Sequence, residues 1–325
     1  MVSEQDIRTF TQSLDQIRAE IGKEIVGQTK VVDELLITLV SGGNVLLEGV
    51  PGLGKTRLVR ALSHVFALPF SRIQFTPDLM PADITGTNIF VKTQAGGAFE
   101  FQEGPLFSSI VLADEINRAT PKTQAALLEA MQEHAVTVAG VTRKLPEPYF
   151  VLATQNPVEQ EGTYPLPEAQ LDRFLMKIMV SFPSLDELER IVLMTTTGDE
   201  AEASRVSDAQ GLLSLRAAAR EVPVAQAVLT FALTLVKNTH PELPDATETA
   251  KKYLRFGASP RAAQALISTA RVRALMQGRY NVAFEDIISL APACLRHRIA
   301  LNFEAVSDGL TTDDVIAQLL AAMGK

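Results

Sequence analysis

Cysteine is almost missing: the single thiol, Cys294, excludes an internal disulfide framework and a metal site built from several thiolates. It sits in an apolar helical pattern and reads as a small core residue. The four histidines, His64, His134, His240 and His297, show no short ligand spacing. No apolar run approaches the roughly 18 residues that cross a bilayer, which argues against membrane insertion. The opening MVSEQDIRTF is charged and lacks the apolar stretch of a secretory signal, so the expected location is cytoplasmic. A basic excess is also lacking, with 30 Lys and Arg against 38 Asp and Glu and a net charge of −8. That balance disfavours a nucleic-acid partner, because phosphate backbones are met by clustered cations. Internal repeats and low-complexity tracts are absent as well.

What is present is apolar and regularly patterned. The hydrophobic fraction is 46% over 325 residues, enough chain for two well-buried domains. Five short apolar runs, 44–48, 69–75, 109–113, 149–154 and 175–180, read as strands covered on both faces. Helical patterns lie between them, notably 56–66 and 121–133, the latter opened by Pro121 with Thr120 as its N-cap candidate. Strands alternating with helices predict an α/β core with a five-stranded, mostly parallel sheet. Two excursions interrupt the alternation: a glycine- and proline-rich stretch over 78–107, and a β-hairpin over 135–148. Beyond Phe182-Pro183 the patterns are helical, including 185–195, 225–238, 260–277 and 284–301. The expected division is therefore an α/β domain over 1–182 and an all-helical domain over 183–325.

Chemistry concentrates in the first of these. Gly49-Val50-Pro51-Gly52-Leu53-Gly54-Lys55-Thr56 matches GxxxxGK[ST] completely, with an apolar strand before it and an amphipathic helix after it. Such glycines let backbone N–H groups curl around phosphates at a helix N-terminus. Lys55 would reach the β- and γ-phosphates of ATP, and the Thr56 hydroxyl would hold Mg²⁺. A second apolar strand ends in Asp114-Glu115, which assigns Asp114 to the metal shell and Glu115 to polarising the attacking water. A third ends in Gln155-Asn156-Pro157, and an amide at that tip can bond the water or the γ-phosphate; an Asn-Pro turn is the alternative.

These segments together resemble the MoxR family of AAA+ ATPases, in the branch that also holds the magnesium-chelatase motor subunit and the MCM helicases. The resemblance covers nearly the whole chain, through Ile25-Val26-Gly27-Gln28, GVPGLGKT, LADEINRATPKTQAALLEAMQE, ATQNPVEQEGTYPLPEAQLDRF, GASPRAAQAL and CLRHRIALNFEA. It implies an AAA+ P-loop fold of αβα layers followed by a helical lid, with 78–107 as the helix-2 insert and 135–148 as the pre-sensor hairpin. Lys55 and Thr56 fall on Walker A, where Gly49, Pro51, Gly52, Leu53, Gly54 and Arg57 complete the nucleotide-binding stretch. Asp114 and Glu115 fall on Walker B and Asn156 on sensor 1. Arg173 falls where an arginine finger reaches the neighbouring subunit, with Arg118 as the competing candidate, and Arg261 falls on sensor 2 at the start of a lid helix. Val26 and Gln28 fall where the family flanks adenine. The resemblance further implies an ATPase working as a homo-oligomer, a hexameric ring, that remodels or matures protein clients or inserts a metal or cofactor into them. A partner with a von Willebrand factor A domain commonly accompanies such proteins. A DNA-stimulated motor and a nucleotide-switched binding module are the alternative readings.

Overall fold

The computed structural model describes residues 4–50, 52–93, 96–156, 162–196 and 202–324. Five strands form one parallel sheet: β1 (Val45–Glu48), β2 (Phe70–Gln74), β3 (Ile110–Asp114), β4 (Phe150–Gln155) and β5 (Met176–Met179), in the order β2-β3-β4-β1-β5. Each corresponds to one of the predicted runs. The register aligns Gln74 with Asp114, Ala113 with Ala153, and Glu48 with Gln155, so the carboxyl ends of the strands form one rim.

Alternation along the strands explains why these runs are apolar without a break. Val45, Leu47, Ile110, Leu112, Phe150 and Leu152 belong to one hydrophobic cluster, whereas Leu46, Val111, Ala113, Val151 and Ala153 belong to another. Successive side chains leave opposite faces of a strand, and both faces here are covered. The first cluster takes in the helices Glu4–Glu24, Thr29–Ser41 and Lys55–Val65, and continues without interruption into the helices after residue 202. The second packs beneath the helix Pro121–Glu133. Pro121 opens that helix as expected, and Thr120 takes the N-cap position with extended backbone, although its hydroxyl makes no capping bond.

Both excursions are antiparallel hairpins, Gly86–Thr93 with Gly96–Glu103 and Ala135–Val138 with Val141–Lys144. The second turns through Ala139 and Gly140, both at positive φ (50° and 77°), the geometry a two-residue hairpin loop demands. Arg143 fastens one hairpin to the other, its guanidinium lying 3.8 Å from the centre of the Phe101 ring.

After β5 the described chain is helical, with one departure from the sequence reading. The helix expected over 284–301 ends at Leu295, and Ala300–Leu301 pairs instead with Leu254–Phe256 as a small antiparallel ladder. The reason lies between them. Arg296, His297 and Arg298 are all buried, and they turn the chain inward to bond carbonyls of the sheet region, which a continued helix would not permit. Among the described residues, no helix is long and apolar enough to cross a membrane.

Candidate functional site

The loop after β1 is shaped by its glycines for two different reasons. A Cβ on Gly49 would sit 2.7 Å from the Val180 carbonyl oxygen, so the loop can leave the sheet here only without a side chain. Gly52 and Gly54 have open space around them but stand at φ 85° and 75°, a region that L side chains rarely adopt. The helix Lys55–Val65 starts directly after Gly54, so its unpaired N–H groups and positive dipole end face the loop. Pro51 lies outside the described residues. Lys55 Nζ donates to the Gly49 carbonyl at 2.7 Å. Burial pushes its ammonium below the usual lysine value, against the pull of Asp114, Glu115 and Glu48. Thr56 occupies the first turn, half-buried.

Along the same rim stands the acidic pair. Asp114 closes β3, and Glu115 follows at φ 56°, which swings its side chain away from the strand direction. Thr154 of β4 fixes both: its hydroxyl accepts the Glu115 N–H at 2.8 Å and donates to Asp114 Oδ1 at 2.7 Å. The other Asp114 oxygen accepts from Arg72 Nη2 at 2.7 Å and Nε at 3.2 Å. Glu115 Oε2 accepts from Gln74 Nε2 and from Arg118 Nη1, both at 2.9 Å. Asn156 is buried at the tip of β4, the strand lying between β1 and β3. Lys55, Asn156 and the Asp114–Glu115 pair therefore come from three adjacent strand ends.

Beside the loop opens a cavity of ≈290 Å³ lined by Val26, Gln28, Gly52, Leu53, Gly54 and Arg57. Gln28 Nε2 reaches the Leu53 carbonyl at 3.2 Å. Its opposite wall was not read from the sequence: Leu188, Ile191 and Met194 of the helix Leu185–Thr196, with Phe182 before it. Their three-residue spacing was the available signal, since it places them on one helix face.

Arg173 and Arg261 are brought together, but elsewhere. They line a cavity of ≈370 Å³ with Gly43, Asn44 and Asp172. Asn44 precedes β1 whereas the phosphate-type loop follows it, so this cavity opens on the amino ends of the strands. The length of β1, about 13 Å at the rise of a strand, separates the two edges. Arg173 Nη1 donates to the Leu128 carbonyl at 3.0 Å. Asp172 accepts Ser259 Oγ at 2.8 and 2.9 Å and Arg298 Nε at 2.9 Å, with Arg261 Nη1 at 3.6 Å.

Comparison with known proteins supplies the family. Residues 44–176 match the ATPase family associated with various cellular activities (AAA), and residues 246–319 match the AAA lid domain. Chaperone MoxR1 of Mycobacterium tuberculosis is 42% identical over 95% of this chain and 81% of its own length. Protein MoxR of Methylorubrum extorquens is 31% identical over 87% of this chain and 86% of its own. A solved structure of a candidate ATPase from Cytophaga hutchinsonii superposes with a TM-score of 0.90 at 39% identity, covering 98% of this chain and 96% of that one. A P-loop rim on a parallel five-stranded sheet, a lid match behind it and relatives along nearly the full length lead to one conclusion: the chain belongs to the MoxR family of AAA+ ATPases.

Proposed function

We propose that the protein hydrolyses ATP with Mg²⁺ at a site shared between copies of the chain, and that turnover drives chaperone-like remodelling of protein clients. One observation carries the shared-site reading: Lys55 and the acidic pair occupy the carboxyl rim of the sheet, whereas Arg173 and Arg261 occupy its amino edge. Arginines on that edge face away from phosphates bound to their own Lys55. In this reading they act on the nucleotide of a neighbouring copy, which a closed ring supplies at every interface; six copies are the expected number.

Within one subunit the roles follow from chemistry. The N–H groups of the loop and the start of the helix Lys55–Val65 cradle phosphate oxygens, and Lys55 brings charge to the β- and γ-phosphates. The Thr56 hydroxyl and the Asp114 carboxylate are hard oxygen donors of the kind Mg²⁺ takes alongside phosphates and water. Among the described residues no group of three or more His, Cys, Asp or Glu side chains forms a cage, which fits an ion carried in with the nucleotide. When bound, Mg²⁺ neutralises charge on the β- and γ-oxygens. Glu115 orients the attacking water and draws on its proton, and the Asn156 amide steadies the water or the γ-phosphate. Val26 and Gln28 flank the adenine in the cavity beside the loop. The neighbour's guanidiniums spread positive charge over the γ-phosphoryl oxygens as they become more negative.

The von Willebrand factor A partner, the cytoplasmic setting and any role in metal or cofactor insertion belong to the same proposal and rest on the family resemblance. A DNA-gripping role finds less support, because Arg143, one of the two cations in the 135–148 hairpin, is engaged with Phe101 and with the Val138 and Val141 carbonyls. The test is phosphate release measured across protein concentration, with and without DNA. Specific activity that rises as copies assemble, with no response to DNA, is expected. Concentration-independent turnover would overturn the shared site, and DNA stimulation would move the protein to the motor reading.

A further inference from the structure

The metal-shell carboxylate has a cation of its own. Arg72 stands on the edge strand β2 and directs two N–H groups at a single oxygen, Asp114 Oδ2, at 2.7 and 3.2 Å. Thr154 takes the other oxygen, so both acceptor atoms of Asp114 are engaged. Lys55, the cation that the P-loop motif itself supplies, donates to the Gly49 carbonyl instead. Arg72 Nη2 also donates to Gln74 Oε1 at 2.9 Å, and Gln74 in turn donates to Glu115, so one guanidinium touches the first carboxylate directly and the second through an amide.

We propose that Arg72 is a resident counter-cation that competes with the divalent metal for Asp114 and so sets how much Mg²⁺ the site requires. This rests on the reading of Asp114 as a metal-shell residue. A guanidinium and a divalent cation on one carboxylate repel each other, and loading the metal requires that Arg72 loosen or leave. The geometry permits it to leave. Arg72 is 47% exposed on an edge strand while Asp114 is 15% exposed, so the arginine can swing into water and the aspartate stays where Thr154 holds it. The opposite role, in which Arg72 merely aims Asp114 at the metal, predicts the opposite sign and is separable by experiment.

The experiment is a MgCl₂ titration of the binding of a fluorescent β,γ-imido analogue of ATP, which reads occupancy without turnover. It compares the full-length protein with its Arg72→Ala, Arg72→Lys and Asp114→Asn variants. Arg72→Ala should lower the half-saturating Mg²⁺ about two- to fivefold, the scale of one partly exposed ion pair. Arg72→Lys, which keeps the charge but loses the fork, should fall between Arg72→Ala and wild type. An unchanged or raised Mg²⁺ requirement in Arg72→Ala, with Arg72→Lys folded and binding, overturns the competition. Should Asp114→Asn leave the Mg²⁺ dependence intact, the metal-shell assignment itself fails and the proposal goes with it.

Discussion

Asp172 and Arg298 form an ion pair where the C-terminal helices meet the sheet, Oδ1 to Nε at 2.9 Å, with the arginine side chain only 2% exposed. Arg298 also donates to the carbonyls of Phe174, Leu175 and Cys294, so its charge is held in a nearly dry setting. Removing one partner of a buried pair strands the other charge, at a cost of about 3–5 kcal/mol. Asp172→Ala should therefore lower the urea midpoint strongly. Arg261, 3.6 Å from the same carboxylate but 47% exposed, should cost about 0–1 kcal/mol on substitution by alanine. Equal losses in the two variants would show that Asp172 does not anchor through Arg298.

The proposed action of Arg173 and Arg261 on a neighbouring copy lends itself to complementation. Glu115→Gln and Arg173→Ala should each be inactive alone, since loss of a finger costs about 10³–10⁵ in rate. Mixed under conditions of subunit exchange, they should recover activity, because some interfaces then join an intact Glu115 to an intact Arg173. Arg261→Ala should complement in the same way. Arg118→Ala should not, because Arg118 contacts the Glu115 of its own chain at 2.9 Å. Recovery with Arg118→Ala and none with Arg173→Ala would reverse the assignment.

Thr154 offers a test of the rim without touching a charge. Thr154→Val keeps the shape of the side chain but leaves the Glu115 N–H without its acceptor and Asp114 Oδ1 without its donor, while Arg72 still holds Oδ2. The expected loss of stability is about 1–3 kcal/mol, accompanied by weaker Mg²⁺-dependent nucleotide binding. Thr154→Ser should restore both. If the serine variant behaves like the valine variant, the hydroxyl is not what matters.

His297 predicts a pH dependence of folding. Burial, followed by the nearby Arg298 charge, holds its imidazole well below the usual histidine range. Its Nε2–H donates to the Phe174 carbonyl at 3.0 Å and its Nδ1 has no partner among the described residues, so the folded protein keeps the neutral ring. The unfolded chain takes up the proton near pH 6.5 and the folded chain does not. Stability from this group is thus complete above about pH 6.5 and falls below it, approaching about 1.4 kcal/mol per pH unit. Denaturation midpoints between pH 5.5 and 7.5 should show the slope in wild type and a shallower one in His297→Gln. Parallel curves would remove His297 from this account.

The sheet and its phosphate-type loop were legible because both are written locally. Each strand is an unbroken apolar run, and the Gly49–Thr56 stretch carries its own turn and helix start. The positions that proved harder to read owe their roles to register between distant segments. Arg72 and Gln74 alternate with buried Ile73, which marks a half-buried strand face, but that this face meets Asp114 depends on β2 pairing with β3. Thr154 looks like one more strand residue until β4 sets it beside Asp114. The overlong helix at 284–301 failed for a related reason. Arg296, His297 and Arg298 fit a helical pattern, and only their bonds to Lys177 and Phe174, over 100 positions away, stop it.

Under the shared-site reading, the Asp172 turn governs which chains can join an assembly. Arg173 follows Asp172 directly, and Arg261 lies two residues beyond Ser259, whose hydroxyl Asp172 accepts. The two arginines line one cavity because the sheet and the C-terminal helices have closed on this carboxylate. A chain caught with its C-terminal helices undocked would carry both residues yet have no paired edge to offer a neighbour. Under the shared-site reading, each subunit would then vouch for its own completed folding through the surface by which it switches on the next.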